Sequence, residues 1–362
     1  MRCEAVSQPQ TLQVVGPEHP AWSQALGRLP LEQQDVFYTP EYAVLCARFV
    51  YPGAEARCAI LETERALMVY PFLQRDLAAL TGRQDLTGGC RDRIGCYGRG
   101  GLLADQATAE ELEQFHRALE AYGREERIIC GFDRYHPVVQ NHRWADARTA
   151  LRDIGGFVVV DLRRPIGDIE RSYKHALRKH IAQAERAHVE VFSEETTEHL
   201  EEFLVVYRST LQRRRARAFY DFDPAFYQAL TAQLPGRYRF FYARVGGRIV
   251  SCELVLRQGA YCHSFLGGTL EEALAACPNH LLKRDLIREA HAWGCRYYLL
   301  GGGQRPYDGI WNYKAYFAVD GSVPSMVGGT IVDEAAYRGL QERWRQAGLA
   351  VDTERFQFYD LA

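Results

Sequence analysis

Two stretches of the chain share one layout, and a repeated supersecondary unit restricts the possible architecture more than any single residue does. "RCAILETERALMVYPFLQ", residues 57 to 74, is an apolar run, a short polar turn and a second apolar run. "YRFFYARVGGRIVSCELVLRQGAYCHSFLGG", residues 238 to 268, has the same order, with Gly246 and Gly247 at the turn and a further apolar run added. Runs of this length bounded by glycine turns predict antiparallel strands.

Helical patterns surround both hairpins. "ATAEELEQFHRALEAYGREE" has apolar residues at helical spacing after an acidic first turn, and "DIERSYKHALRKHIAQAERAH", residues 168 to 188, predicts one helix with Asp168 as its N-cap. A third helix opens at Asn279 after Pro278 in "NHLLKRDLIREAHAWGC" and stops near Gly294, leading into the short strand "RYYLL". With 362 residues the chain is long for one core. The boundary is expected at Gly155 and Gly156 in "LRDIGGFVVVDL", dividing the chain into 1–155 and 156–362. Hairpins with helices packed on mixed, mostly antiparallel sheets make an α/β (α+β) chain of two similar units.

The formal net charge of −2 argues against nucleic-acid binding over a whole domain, so any such role must come from a local patch. No run of about 18 apolar residues occurs and "MRCEAVSQPQ" has no apolar core, so a cytoplasmic location is expected. The ten cysteines, Cys3 and Cys277 among them, show no C-x-x-C pair; they are expected to be reduced and mostly buried, with no metal site and no redox cofactor.

Of the 44 lysines and arginines only four are lysines: Lys174, Lys179, Lys283 and Lys314. Lys314 lies in "DGIWNYKAYF", directly after "YYLLGGGQRPY". An ammonium is a compact charge whereas a guanidinium is a broad planar fork, so a lysine in an arginine-rich chain suggests a place where arginine does not serve.

The ordered set "DIERSYKHALRKHIAQAERAHVEV", "YRFFYARVGGRIVSCELVL", "NHLLKRDLIREAHAWGCRYYLLGGG" and "DGIWNYKAYF" resembles the Fem family of aminoacyl-tRNA-dependent transferases and the wider FemAB-like branch of the GNAT acyltransferases. "VFYTPEYA" and "CYGRGGLLAD" look like that family's N-terminal landmarks, so the resemblance covers most of the chain. It implies tandem GNAT-like domains with catalysis in the second, no cofactor, aminoacyl-tRNA as donor, and an amine as acceptor that ends in an amide bond. Cell-wall precursors and natural-product peptides are the acceptor classes it suggests.

The resemblance gives roles to residues. Lys314 occupies the lysine of the Fem pattern D-G-[LI]-x-x-[FY]-K, next to Tyr313, and is expected beside the reacting ester, where a cation stabilises the tetrahedral oxyanion. Gly302 and Gly303 follow the strand "RYYLL", where glycines allow a ligand to approach the backbone closely. "YRSTLQRRRARAFY" carries Arg208, Arg213, Arg214, Arg215 and Arg217 with no acid, and matches the segment that grips the acceptor, with Arg213, Arg217, Tyr220 and Tyr227 as expected contacts. A second basic cluster is Arg171, Lys174, Arg178, Lys179 and Arg186; cations beside aromatic faces suit a phosphate with a stacked base, or an anionic acceptor.

His263 and Glu253 lie on expected strands of the second domain. Glu253, amid Val250, Cys252, Leu254 and Val255, would have a raised pKa if buried and could accept the amine proton.

The chain departs from the family in two places. No lysine precedes Lys174, so Arg48, shortly after "TPEYA", and Arg99, in "CYGRGG", are the nearby cations that could hold an acceptor's phosphates in its place, and the helical hairpin some Fem proteins insert has no room here. An acyl-CoA donor is the alternative, but "GGTLEEALAACPNHLL" lacks an R-x-x-G-x-G/A cradle and carries Glu271 and Glu272 where a pyrophosphate would sit.

Overall fold

A computed structural model describes residues 11–352 and 355–360. The chain forms two compact units, Met1–Gln33 with Phe37–Arg152 and Met326–Leu361, and Gln34–Val36 with Asp153–Ser325. A plain division at 155/156 would leave the last segment with the second unit. Met1–Gln10, including Cys3, lie outside the described residues.

The strands are β1 Gln13–Val15, β2 Glu55–Glu62, β3 Leu67–Asp76, β4 Arg91–Ile94, β5 Leu103–Asp105, β6 Ile128–Arg134, β7 Ala150–Asp161, β8 Glu190–Glu194, β9 Tyr238–Val245, β10 Arg248–Gln258, β11 Tyr261–Thr269, β12 Tyr297–Gly301 and β13 Ser322–Ile331. The helices are α1 Pro20–Arg28, α2 Pro40–Leu45, α3 Leu77–Thr81, α4 Gln84–Thr87, α5 Ala109–Glu125, α6 Ile166–Arg171, α7 His175–Arg186, α8 Leu200–Arg214, α9 Pro224–Gln233, α10 Pro278–Ala292, α11 Gly309–Ala315 and α12 Glu334–Gln346.

In the first unit the 57–74 hairpin forms as β2 and β3, paired antiparallel from Glu55↔Gln74 to Glu62↔Leu67. Its apolar face packs on α5, whose Phe115 and Leu119 join Phe72 and Met68 in the core. A full capping box between Thr108 and Glu111 starts α5 where the acidic first turn predicts a start.

The C-terminal segment goes with this unit for physical reasons. Val327–Ile331 pair antiparallel with β6. Arg75 bonds Asp92 through Nε (2.9 Å) and Nη2 (2.7 Å) and reaches Asp360 at 2.7 Å, while Gln357 and Tyr359 each donate to Asp92 Oδ2 at 2.8 Å. A buried carboxylate needs such partners, and this segment supplies two of them, with Asp360 adding a second carboxylate for Arg75.

In the second unit the order of strands is β7-β12-β11-β10-β9-β8. The β9–β10 turn is Gly246-Gly247 with φ of +56° and +82°, the conformation a two-residue hairpin loop requires. One face of the sheet carries Phe241, Val255, Cys262, Tyr298 and Leu300, packed on Leu177 and Ile181 of α7 and Leu281, Leu282 and Leu286 of α10. Alternation sends Phe240, Tyr242, Leu254 and Leu256 to the opposite face, toward α8 and α9.

The region expected to be one helix over 168–188 is two, α6 and α7. Asp168 is inside α6 rather than capping it. Ser172 Oγ bonds back to Ile169 O at 2.6 Å, Tyr173 turns into the core, and Lys174 is extended (φ −56°, ψ 145°) before α7 restarts. Burial of Tyr173 against Phe317, with ring centroids 5.7 Å apart, overrides the helical pattern there.

Candidate active site

β11 and β12 run parallel over only three pairs, Tyr261↔Tyr297, Cys262↔Tyr298 and His263↔Leu299. After that β11 continues along β10, with Ser264 opposite Val255, while β12 bulges at Leu300 and Gly301 pairs with Val158 of β7. The strands therefore part at His263 and Leu299, and residues on either side of the parting carry most of the unit's unusual chemistry.

At the end of β12 the chain passes Gly301, φ +95°, and enters the Gly302-Gly303 turn that leads to α11. Lys314, near the end of α11, folds back so that Nζ donates to Gly302 O at 2.8 Å. A Cβ on Gly301 would lie 2.9 Å from that nitrogen, and one on Gly303 would overlap Asp308 Oδ1. Gly301 is required by its left-handed φ, and Gly303 by the close approach of Asp308 and of the Arg305 carbonyl.

Asp308 fixes the start of α11. Its Oδ1 accepts from the amides of Ile310 (3.0 Å) and Trp311 (2.9 Å), and its Oδ2 from those of Gln304 (2.8 Å) and Arg305 (3.1 Å). Burial alone would raise its pKa, but four amide donors outweigh it and hold the carboxyl below the usual range. The Asp-Gly start of the motif is thus a cap that orients the helix bearing Lys314.

Tyr313, the neighbour of Lys314 for which a catalytic role is also expected, lies on the same helix. Its hydroxyl donates to Asn279 O at 3.0 Å and its ring packs edge-on against His280 (5.2 Å) and Phe317 (5.5 Å), tying α11 to the start of α10. Burial first, then the negative charge of Glu253, push the phenol well above its ordinary pKa.

Glu253 is buried, as the apolar run suggests, at 5% exposure. It is not alone there. Lys283 of α10, 4% exposed, contacts both carboxylate oxygens, and Tyr298 Oη donates to Oε1 at 2.5 Å. Lys283 Nζ also donates to Ser264 Oγ at 3.0 Å and Tyr298 Oη at 3.2 Å. Glu253 is thus one half of a buried ion pair. Periodicity placed Lys283 on a helix, but only the tertiary fold shows that it faces inward.

His263 is also interior, 4% exposed, with Nε2 2.7 Å from Asp35 Oδ2; Asp35 comes from Gln34–Val36, which pack with this unit. Tyr227 is fully buried against Phe203 and Phe226 and so is a core residue rather than an acceptor contact. Tyr220 is exposed, Arg217 is exposed, Arg213 Nη1 donates to Thr269 O at 2.9 Å, and Arg208 pairs with Asp221 at 2.8 Å. In the first unit Arg48 is exposed with its guanidinium 5.0 Å from the Phe49 ring, and Arg99 Nη1 reaches Tyr135 O at 3.4 Å.

Where α7 meets α10, His180 and His280 stack obliquely with centroids 4.6 Å apart. Burial, then the neighbouring His180, lower His280 to about 4.

Residues 171–314 match the protein family described as Acetyltransferase (GNAT) domain. Those residues form a GNAT domain. The match takes in Glu253, His263, Lys283, Tyr298 and Lys314, and a domain of this family is that of an acyltransferase.

Among solved structures, "Crystal structure of FemX" superposes with a TM-score of 0.67 at 12% identity over 90% of this chain and 99% of FemX. L-PGS from Bacillus licheniformis gives 0.55 at 10% identity over 91% of this chain and 98% of its own. The C-terminal domain of a protein titled lysylphosphatidylglycerol synthetase from Agrobacterium fabrum gives 0.54 at 12% identity over 91% and 95%. At such identities the likeness is one of fold. No curated protein matches this chain in sequence.

Proposed function

We propose that this GNAT enzyme transfers an aminoacyl group from aminoacyl-tRNA to the amine of a small peptide-like acceptor, forming an amide. The observation that carries the reading is the Lys314 ammonium, anchored on Gly302 O where β12 ends and aimed by the Asp308-capped helix. The acceptor nitrogen attacks the ester carbonyl, and the C–O bond to the tRNA 3′-oxygen breaks as the C–N bond forms. The proton lost from nitrogen ends on that oxygen. Negative charge develops first on the carbonyl oxygen and then on the leaving oxygen, and a fixed cation stabilises both.

Fold likeness to FemX supports an aminoacyl donor, as does the name lysylphosphatidylglycerol synthetase, which describes a lysyl group joined to a lipid. The stretch before α10 disfavours acyl-CoA: Glu271 and Glu272 are exposed in a 3₁₀ turn where a pyrophosphate would sit, and their carboxylates would repel it. The test is to incubate the protein with charged tRNA pools or an acyl-CoA panel, plus an amine library, and follow product mass. Turnover should require charged tRNA and stop after ribonuclease treatment. Turnover with acyl-CoA alone overturns the reading in favour of a CoA-dependent GNAT N-acyltransferase.

A further inference from the structure

We propose that the solvent face of α7 is the surface that docks the phosphate backbone of the donor RNA and leads its 3′ end to Lys314; this rests on the aminoacyl-tRNA reading above.

From Arg163 to His188 the chain has seven lysines and arginines and three acids, 7 − 3 = +4, in a chain whose net charge is −2. The acids are engaged. Glu170 pairs with Arg288 of α10 (3.0 Å to Nη2), Glu185 with Arg284 of α10 (2.5 Å), and Asp168 with Arg171. The cations of α7 itself are left exposed. Lys179 and Arg186 are exposed and, among the described residues, have no ion-pair partner. Arg178 gives its Nη1 to the carbonyls of Arg171 (3.1 Å) and Tyr173 (2.5 Å), which leaves its charge uncancelled, and His175 and His188 are exposed beside them.

The stripe also leads to the reacting lysine. Lys174, at the start of α7, donates its amide to Tyr316 O at 3.2 Å and places Nζ 5.2 Å from the Tyr316 ring. Tyr316 caps the C-terminus of α11, two residues beyond Lys314. Twelve helical residues extend this line of charge for about 18 Å.

RNA is favoured over an anionic membrane by what α7 lacks. A membrane-surface helix inserts an apolar face, whereas Leu177, Ile181 and Ala184 of α7 are buried in the core and only small Ala176 and Ala182 separate the cations. By contrast, Arg208 of the other basic cluster is paired with the carboxylate of Asp221.

The experiment is fluorescence anisotropy of a labelled, uncharged tRNA pool against wild type, K179A/R186A and Lys314→Met across a salt series, with parallel sedimentation on phosphatidylglycerol vesicles. Both removed side chains are exposed, and circular dichroism checks the fold. Removing two phosphate contacts should shrink the slope of log K against log salt by about 1.4–1.8 and weaken binding roughly tenfold or more at low salt. Lys314→Met should keep the wild-type slope, which separates docking from chemistry. If wild type binds tRNA and K179A/R186A binds it equally, the docking inference is overturned while the donor reading stands. Loss of vesicle binding with tRNA binding intact overturns it in favour of a membrane. Absence of tRNA binding by wild type overturns both.

Discussion

Lys283 and Glu253 are buried against each other next to the point where β11 and β12 part, and Tyr298 and Ser264 complete the network. A buried pair of this kind contributes little net stability compared with apolar residues, but losing one partner strands a charge. Lys283→Met should cost about 3–5 kcal/mol in denaturant unfolding, and Lys283→Met with Glu253→Leu should recover most of it. A double variant as unstable as the single one would contradict this. If Glu253 also receives the acceptor's proton, the stable double variant should still lose turnover.

Lys314→Met removes the ammonium but keeps most of the stem. Turnover should fall about 10²–10³-fold, the range seen when one oxyanion-stabilising donor is lost, with little change in melting temperature. Lys314→Arg should not restore the rate, because a planar fork needs more space than the niche between Gly301 and Gly302 O provides. Full activity of either variant would make Lys314 a structural residue only.

Much of this architecture is legible in the sequence because it is local. The glycine turn at 246–247, the capping box at Thr108 and the Asp308 cap each depend on residues a few positions apart. What stays hidden depends on distant contacts. No local pattern shows that Lys283 meets Glu253 across 30 residues, that His263 meets Asp35 across 228, or that Asp360 returns to Arg75 across 285. Tyr227 misleads for the same reason: its position after an arginine run suggests a ligand contact, but the side chain is turned inward by its packing on Phe203.

The glycines beside Lys314 give a steric test. Gly303→Ala would place a methyl against Asp308 Oδ1 and disturb a carboxylate that holds four amides. Its effect should resemble that of Asp308→Ala, which should cost about 1–2 kcal/mol by loss of the cap. Both should lower turnover more than stability, since each releases α11 and with it Lys314. Equal turnover of Gly303→Ala and wild type, under conditions where both are folded, would show that the cap does not position the lysine.

His280 links the fold to pH. Its value falls from an ordinary 6.5 to about 4 because burial, and then His180, disfavour the imidazolium. The unfolded chain therefore binds a proton between pH 6.5 and 4 that the folded chain refuses, so stability rises with pH across that window and is lost on acidification. At about 1.36 kcal/mol per pKa unit, this one group contributes roughly 3 kcal/mol near neutrality that disappears by pH 4. His280→Gln removes the titration. Urea unfolding at pH 7 and pH 4.5 should show a smaller acid-induced loss for His280→Gln than for wild type, and an identical loss in both would place the acid sensitivity elsewhere.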